Sequence, residues 1–97
     1  MRISVRFFTI LREITGKKEE TLEFPKGEEV TVNRVLKQLS EKYGKAFDDY
    51  VYDHGTREVK GFLQFLVNGR SVSSSKGIGT KLSNGDILAI VPPVSGG

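Results

Sequence analysis

Cysteine is absent from this 97-residue chain, histidine and methionine occur once each, and proline occurs three times. Without cysteine there is no disulfide, no thiolate nucleophile and no cysteine metal site. Long apolar runs are missing too. None approaches the ~20 residues of a membrane span, and Met1 leads straight into the Ile3 stretch with no signal-peptide pattern. The expected location is the cytoplasm, with no membrane contact.

A block of one charge sign is also lacking. The formal net charge is +3, and Lys17-Lys18-Glu19-Glu20 mixes both signs, which reads as a solvated surface. Nucleic-acid binding needs clustered cations with stacking aromatics; Phe7, Phe24 and Phe65 fall at core positions instead. The positive surplus is suited to steering the domain toward an acidic partner. The length supports one domain with a small core and leaves little room for a deep catalytic pocket. Candidate catalytic groups are few. His54, in Asp53-His54-Gly55, reads as a solvated turn residue, and the adjacent Asp48 and Asp49 diverge in regular structure. Gly77-Ile78-Gly79 fails the dinucleotide pattern because Leu82 stands where glycine is needed, and Lys81 completes no Walker sequence. No metal site is expected.

What is present is a clear alternation of elements. Ile3, Val5 and Phe7 alternate with Ser4 and Arg6, the period of a half-buried strand, and Phe8 then points to the opposite face. Ile10, Leu11 and Ile14 have helical spacing and stop at Gly16. Thr21 to Phe24 alternates again, with Leu22 and Phe24 inward, until Pro25-Lys26-Gly27 turns the chain. One long helix follows. Thr31 is its N-cap, Val30 and Val35 stand at hydrophobic-staple spacing, and Gly44 stops it. Val32, Val35, Leu36, Leu39 and Tyr43 form its apolar stripe and cover a sheet.

Lys45 to Gly61 carries no clear period, although Phe47, Tyr50, Val51 and Tyr52 are available to anchor it. Phe62 to Val67 is almost continuously apolar, as in a central strand. Asn68-Gly69 predicts a type I′ hairpin into Arg70 to Val72, because both positions tolerate positive φ. Ser73 to Gly79 reads as a flexible Ser/Gly loop, and Asn84-Gly85-Asp86 as the turn into the last strand, Ile87 to Val91. A right-handed crossover through the helix makes this α+β, one mixed sheet with the long helix on one face.

Pro92-Pro93 must end the last strand, since proline donates no ladder hydrogen bond. The expected division is a domain over residues 1–91 and an extended tail over 92–97. At about 3 Å per residue, that tail carries Gly97 roughly 15 to 20 Å from the domain. Glycine at the end leaves the carbonyl open to attack and threads a narrow active site. The expected functional group is therefore the Gly97 carboxylate, with Gly96 beside it.

Val5-Arg6-Phe7-Phe8-Thr9-Ile10-Leu11-Arg12-Glu13-Ile14-Thr15-Gly16, Val67-Asn68-Gly69-Arg70, Asn84-Gly85-Asp86 and Pro92-Pro93-Val94-Ser95-Gly96-Gly97 together resemble the small subunit of molybdopterin synthase. They are similar also to archaeal ubiquitin-like small modifier proteins. The likeness runs from about Ile3 to Gly97 and is interrupted between Lys45 and Gly61. It implies a ubiquitin-like β-grasp fold whose first and last strands pair centrally. It also implies adenylation of Gly97 by an adenylyltransferase resembling ubiquitin-activating enzymes, which uses ATP and magnesium while the chain binds no cofactor itself.

The adenylate then becomes a thiocarboxylate that donates sulfur within molybdopterin synthase, or an isopeptide bond to a target lysine. A weaker alternative is an inert-tailed interaction module. With no cysteine, sulfur must sit on the C-terminal carbonyl. The resemblance places partner contact at Phe8, Arg12, Val91, Pro92, Pro93 and Val94, with the synthase large subunit as the enzyme of the pair. Ser71 departs from the family pattern, which implies a larger apolar residue there.

Overall fold

A computed structural model of the chain describes residues 1–72 and 77–93. Its elements are β1 (Arg2–Phe7), α1 (Ile10–Thr15), β2 (Glu19–Glu23), α2 (Val32–Tyr43), α3 (Lys45–Val51), β3 (Gln64–Val67), β4 (Arg70–Val72) and β5 (Ile87–Val91), with a 3-10 turn at Gly77–Gly79. The strands form one sheet in the order β2-β1-β5-β3-β4. β5 runs parallel to β1 and antiparallel to β3, and the β1–β2 and β3–β4 pairs are antiparallel. This is the ubiquitin-like β-grasp arrangement, α+β, with the first and last strands paired in the middle.

Register assigns the two faces. Val5 stands opposite Leu88, Phe7 opposite Ile90, and Ile90 opposite Phe65, all of them buried on one face. That face forms a single core with Val32, Val35, Leu36 and Leu39 of α2. On the other face Arg6 lies opposite Ala89, Ala89 opposite Leu66, and Leu66 opposite the exposed Ser71. Local signals behave as the sequence predicts. Thr31 caps α2 by accepting from the Arg34 N–H at 3.2 Å, and Asn68 (φ 50°) and Gly69 (φ 84°) make the hairpin with positive φ at both positions.

Four expectations need revision. The unreadable segment contains α3, whose Phe47 and Val51 are fully buried. The apolar run from Phe62 yields a strand only from Gln64, and Phe62 remains 45% exposed. The Asn68 N–H donates to the Ile87 carbonyl, so hydrogen-bonded pairs of β3 and β5 recur at every second residue, and the next one beyond Gln64–Val91 would require an N–H from Pro93, which has none. The loop read as flexible is a 3-10 turn at its described end. Gly77 is buried there, and a Cβ on it would meet the Val72 Cβ at 2.7 Å. Residues 73–76 lie outside the described residues.

The fourth revision concerns Glu20, read as part of a solvated stretch. Its side chain is only 4% exposed and receives Lys17 Nζ at 3.0 Å, Lys42 Nζ at 2.6 Å and the Tyr43 hydroxyl. β2 is thereby tied to the C-terminal end of α2. Burial opposes the carboxylate charge, but hydrogen bonds from Lys42, Tyr43 and Lys17 outweigh it and hold the Glu20 carboxyl below its ordinary 4.5. Burial, reinforced by that carboxylate, pushes the Tyr43 phenol up.

Glu20→Gln is expected to cost about 1–3 kcal/mol in urea unfolding at neutral pH, because it leaves three donors short of a charged acceptor. Since the folded carboxyl titrates below its unfolded value, this stabilisation is present above pH 4.5 and is lost as pH falls through the folded value. The gap between wild type and variant should therefore be flat at neutral pH and close in acid. A gap that persists unchanged through the acid range would contradict the assignment.

Candidate functional site

Parallel strands leave a sheet at the same end. β1 and β5 are parallel with Phe7 opposite Ile90, so the chain exit at Val91-Pro92-Pro93 lies beside the corner that follows β1. That corner is Phe8-Thr9-Ile10. The Phe8 carbonyl accepts from Leu11 N–H at 3.0 Å, and the Thr9 carbonyl accepts from Arg12 N–H at 2.9 Å, starting α1 directly after the strand. Making so abrupt a change holds Thr9 at φ 45°, ψ −115°, a conformation that a β-branched residue adopts only under strain.

Between corner and exit runs an open apolar groove of about 540 Å³. Phe8, Thr9 and Ile10 line it from the corner, Val91, Pro92 and Pro93 from the exit, and Tyr50 from α3. Ile10 is 44% exposed there, whereas its helix neighbour Leu11 is buried. Tyr50 packs on Phe62 with ring centroids 6.2 Å apart, and its partial burial pushes its phenol up. The Arg12 guanidinium lies 5.5 Å from the Phe8 ring centroid and donates through Nε to the Phe7 carbonyl at 3.0 Å.

Of the residues singled out from the sequence, the fold thus gathers Phe8, Arg12, Val91, Pro92 and Pro93 at one end of the sheet. Val94, Gly96 and Gly97 lie outside the described residues. Tyr50 and Ile10 were not picked out as site residues. Phe47, Tyr50 and Val51 do carry helical i, i+3, i+4 spacing, a signal that α3 would place one aromatic off its buried face.

The groove can bind, but it offers no general base or nucleophile pair. His54 sits on an exposed turn with Nε2 2.8 Å from Asp49 Oδ1, while Asp48 turns away to Ser40 at 2.9 Å and Arg57 at 3.5 Å. The Lys45 hydrogen bond, aided by His54, holds the Asp49 carboxyl below its ordinary range. Asp53 accepts from the Gly55 and Thr56 N–H groups as an ordinary turn residue. Among the described residues no group of His, Cys, Asp and Glu is arranged to hold a metal ion. No helix among them is long and apolar enough to cross a membrane.

Sheet order, helix placement and a proline-stopped last strand define a small ubiquitin-like β-grasp protein. The chain belongs to the ThiS family, whose profile matches residues 5–97. It is 34% identical over 97 residues to small archaeal modifier protein 3 of Haloferax volcanii, covering all of both chains. It is 28% identical, again over the whole of both, to the sulfur carrier protein CysO of Mycobacterium tuberculosis. The crystal structure of SAMP1 from Haloferax volcanii superimposes with a TM-score of 0.83 at 26% identity over all of both chains. The family is thus one of ubiquitin-like sulfur carriers and small modifiers.

Thr9→Gly tests whether the corner stores strain. Relief of about 1–3 kcal/mol outweighs the roughly 0.5–1 kcal/mol that glycine costs through the unfolded chain, so urea unfolding should show a net gain of about 1 kcal/mol. A loss of stability would refute the strain at Thr9.

Proposed function

We propose that this chain is a ubiquitin-like sulfur carrier that works through the carboxylate of Gly97. The observation that carries the reading is the parallel β1–β5 pair. It sends Val91-Pro92-Pro93 out of the sheet beside an apolar groove, four residues ahead of Gly97, in a chain whose family match runs through residue 97. A carboxylate is a poor electrophile. Its oxygen attacks the α-phosphorus of ATP on a partner adenylyltransferase, pyrophosphate leaves, and the acyl-adenylate forms with magnesium and the partner's cations offsetting the charge.

Hydrosulfide then displaces AMP to leave the thiocarboxylate. A persulfide donor would first give an acyl disulfide, which a second thiol opens to the same product. The favoured destination is molybdopterin, with Phe8, Arg12, Val91, Pro92, Pro93 and Val94 docking on the large subunit of the synthase and the tail reaching its active site. The chain holds no cofactor in this scheme and is not itself an enzyme. The full-length identity to an archaeal modifier protein supports a second reading, in which a target lysine amine displaces AMP and an isopeptide bond forms.

Because the chain has no cysteine, a thiol-specific alkylating label has no side-chain target and reports the thiocarboxylate alone. Protein purified from its native cells should take up one label at its C-terminus, and deletion of Gly97 should abolish both labelling and ATP–pyrophosphate exchange while leaving the melting curve unchanged. Exchange retained by the truncated chain would sink the scheme. The modifier reading instead predicts tryptic branches spanning residues 82–97 on lysines of other proteins, because Lys81 is the last trypsin site.

A further inference from the structure

We infer that the groove at the root of the tail is a socket for an apolar side chain flanked by carboxylates on the protein that receives the tail. Tyr50 and Ile10 act as its selecting walls and Arg12 reads the acidic flank. The inference rests on the proposed function only in that a protein must approach the tail. The lining joins two parts of the chain that share no sequence signal: the strained corner Phe8-Thr9-Ile10, and Tyr50 from α3, in the segment where the family resemblance is interrupted. A volume of about 540 Å³ admits a short apolar run.

No carboxylate or cation side chain lines this groove. Arg12 lies against Phe8, and Lys60 Nζ is 5.8 Å from the ring of Phe62, which packs on Tyr50. Both cations give hydrogen bonds to backbone carbonyls, Arg12 to Phe7 at 3.0 Å and Lys60 to Asp49 at 2.8 Å. Neither makes an ion pair among the described residues, in contrast to Lys17, Lys42 and Lys45. An apolar slot with the Arg12 guanidinium against its Phe8 wall complements an aliphatic or aromatic anchor with acidic neighbours.

Other occupants fit less well. A bilayer takes up protruding apolar groups, whereas this surface is concave. A second copy docked groove to groove about a twofold axis would bring a second Arg12 and no lining carboxylate. Nucleic acid would meet two separated cations, with no basic track between them.

The test uses the full chain, isotopically labelled, with three synthetic peptides: a Leu-Phe core between Asp and Glu pairs, the same core between Asn and Gln pairs, and an Ala-Ala core between the acidic pairs. The acidic Leu-Phe peptide should shift amide resonances at Phe8 to Arg12, Tyr50 and Val91. Its affinity should fall with added salt and be about tenfold above that of either control peptide. Ile10→Asp changes an exposed position, so the protein should keep its melting temperature and lose peptide binding, and Arg12→Gln should bind weakly with little salt dependence. Tyr50→Phe should bind like wild type and Tyr50→Ala should not.

Equal affinity for the Asn and Gln peptide would overturn the inference. So would shifts centred on Leu66 and Ala89, concentration-dependent shifts at the groove without peptide, or binding to phosphatidylcholine–phosphatidylglycerol vesicles. Peptide binding is read without adenylation, which separates the two proposals. A chain that binds the acidic peptide but takes no label at Gly97 keeps the socket and loses the carrier reading; one that is labelled but does not bind the peptide does the reverse.

Discussion

The parallel pairing of β1 with β5 is the constraint on which the rest depends. It joins the two ends of the described chain, Ser4 with Ile87 through Phe7 with Ile90, and so must close over everything between them. Parallel partners need a crossover, and here the intervening chain supplies α2, whose apolar stripe then covers the face that the pair buries. The same pairing aligns the C-terminal ends of both strands. The strained corner after Phe7 and the prolines after Val91 become neighbours for that reason alone.

Proline sets the limit of this arrangement from the other side. Pro93 lacks the N–H that the next hydrogen-bonded pair, with Phe62, would need, so β3 starts at Gln64 opposite Val91. The freed residues before it form the turn that closes with Leu63 N–H donating to the Lys60 carbonyl at 3.2 Å. Phe62 is left on the surface against Tyr50, extending the apolar area beyond the groove itself. One missing N–H in the tail root thus shapes a surface contributed by another segment.

The polar contacts divide between scaffold and surface. Glu20 is buried with Lys17, Lys42 and Tyr43 around it and joins β2 to the end of α2. Ser40 and Asp48, 2.9 Å apart, join α2 to α3 across the positive-φ Gly44. Exposed pairs such as Arg2 with Glu23 at 2.8 Å remain well hydrated and contribute little. At the groove edge the balance differs, since Arg12 lies against Phe8 and donates through Nε to the Phe7 carbonyl, with no ion pair among the described residues.

Much of the fold was legible where a local rule operates. Period-two alternation placed β1 and β2, the Thr31 cap and Gly44 bounded α2, and Asn68-Gly69 announced the hairpin, because each depends on φ preferences or side-chain spacing within a few residues. The proline stop before Gly96-Gly97, the absence of thiols and the residues of the tail root are likewise properties of the sequence by itself. Tertiary structure alone decided the rest. Glu20 looks like its solvated neighbours until α2 is folded over it, and Gly77 looks like a loop residue until Val72 comes within reach of its missing Cβ. Tyr50 gained its place beside Phe8 and Val91 only through contacts between residues far apart in the chain, a proximity that no local spacing encodes.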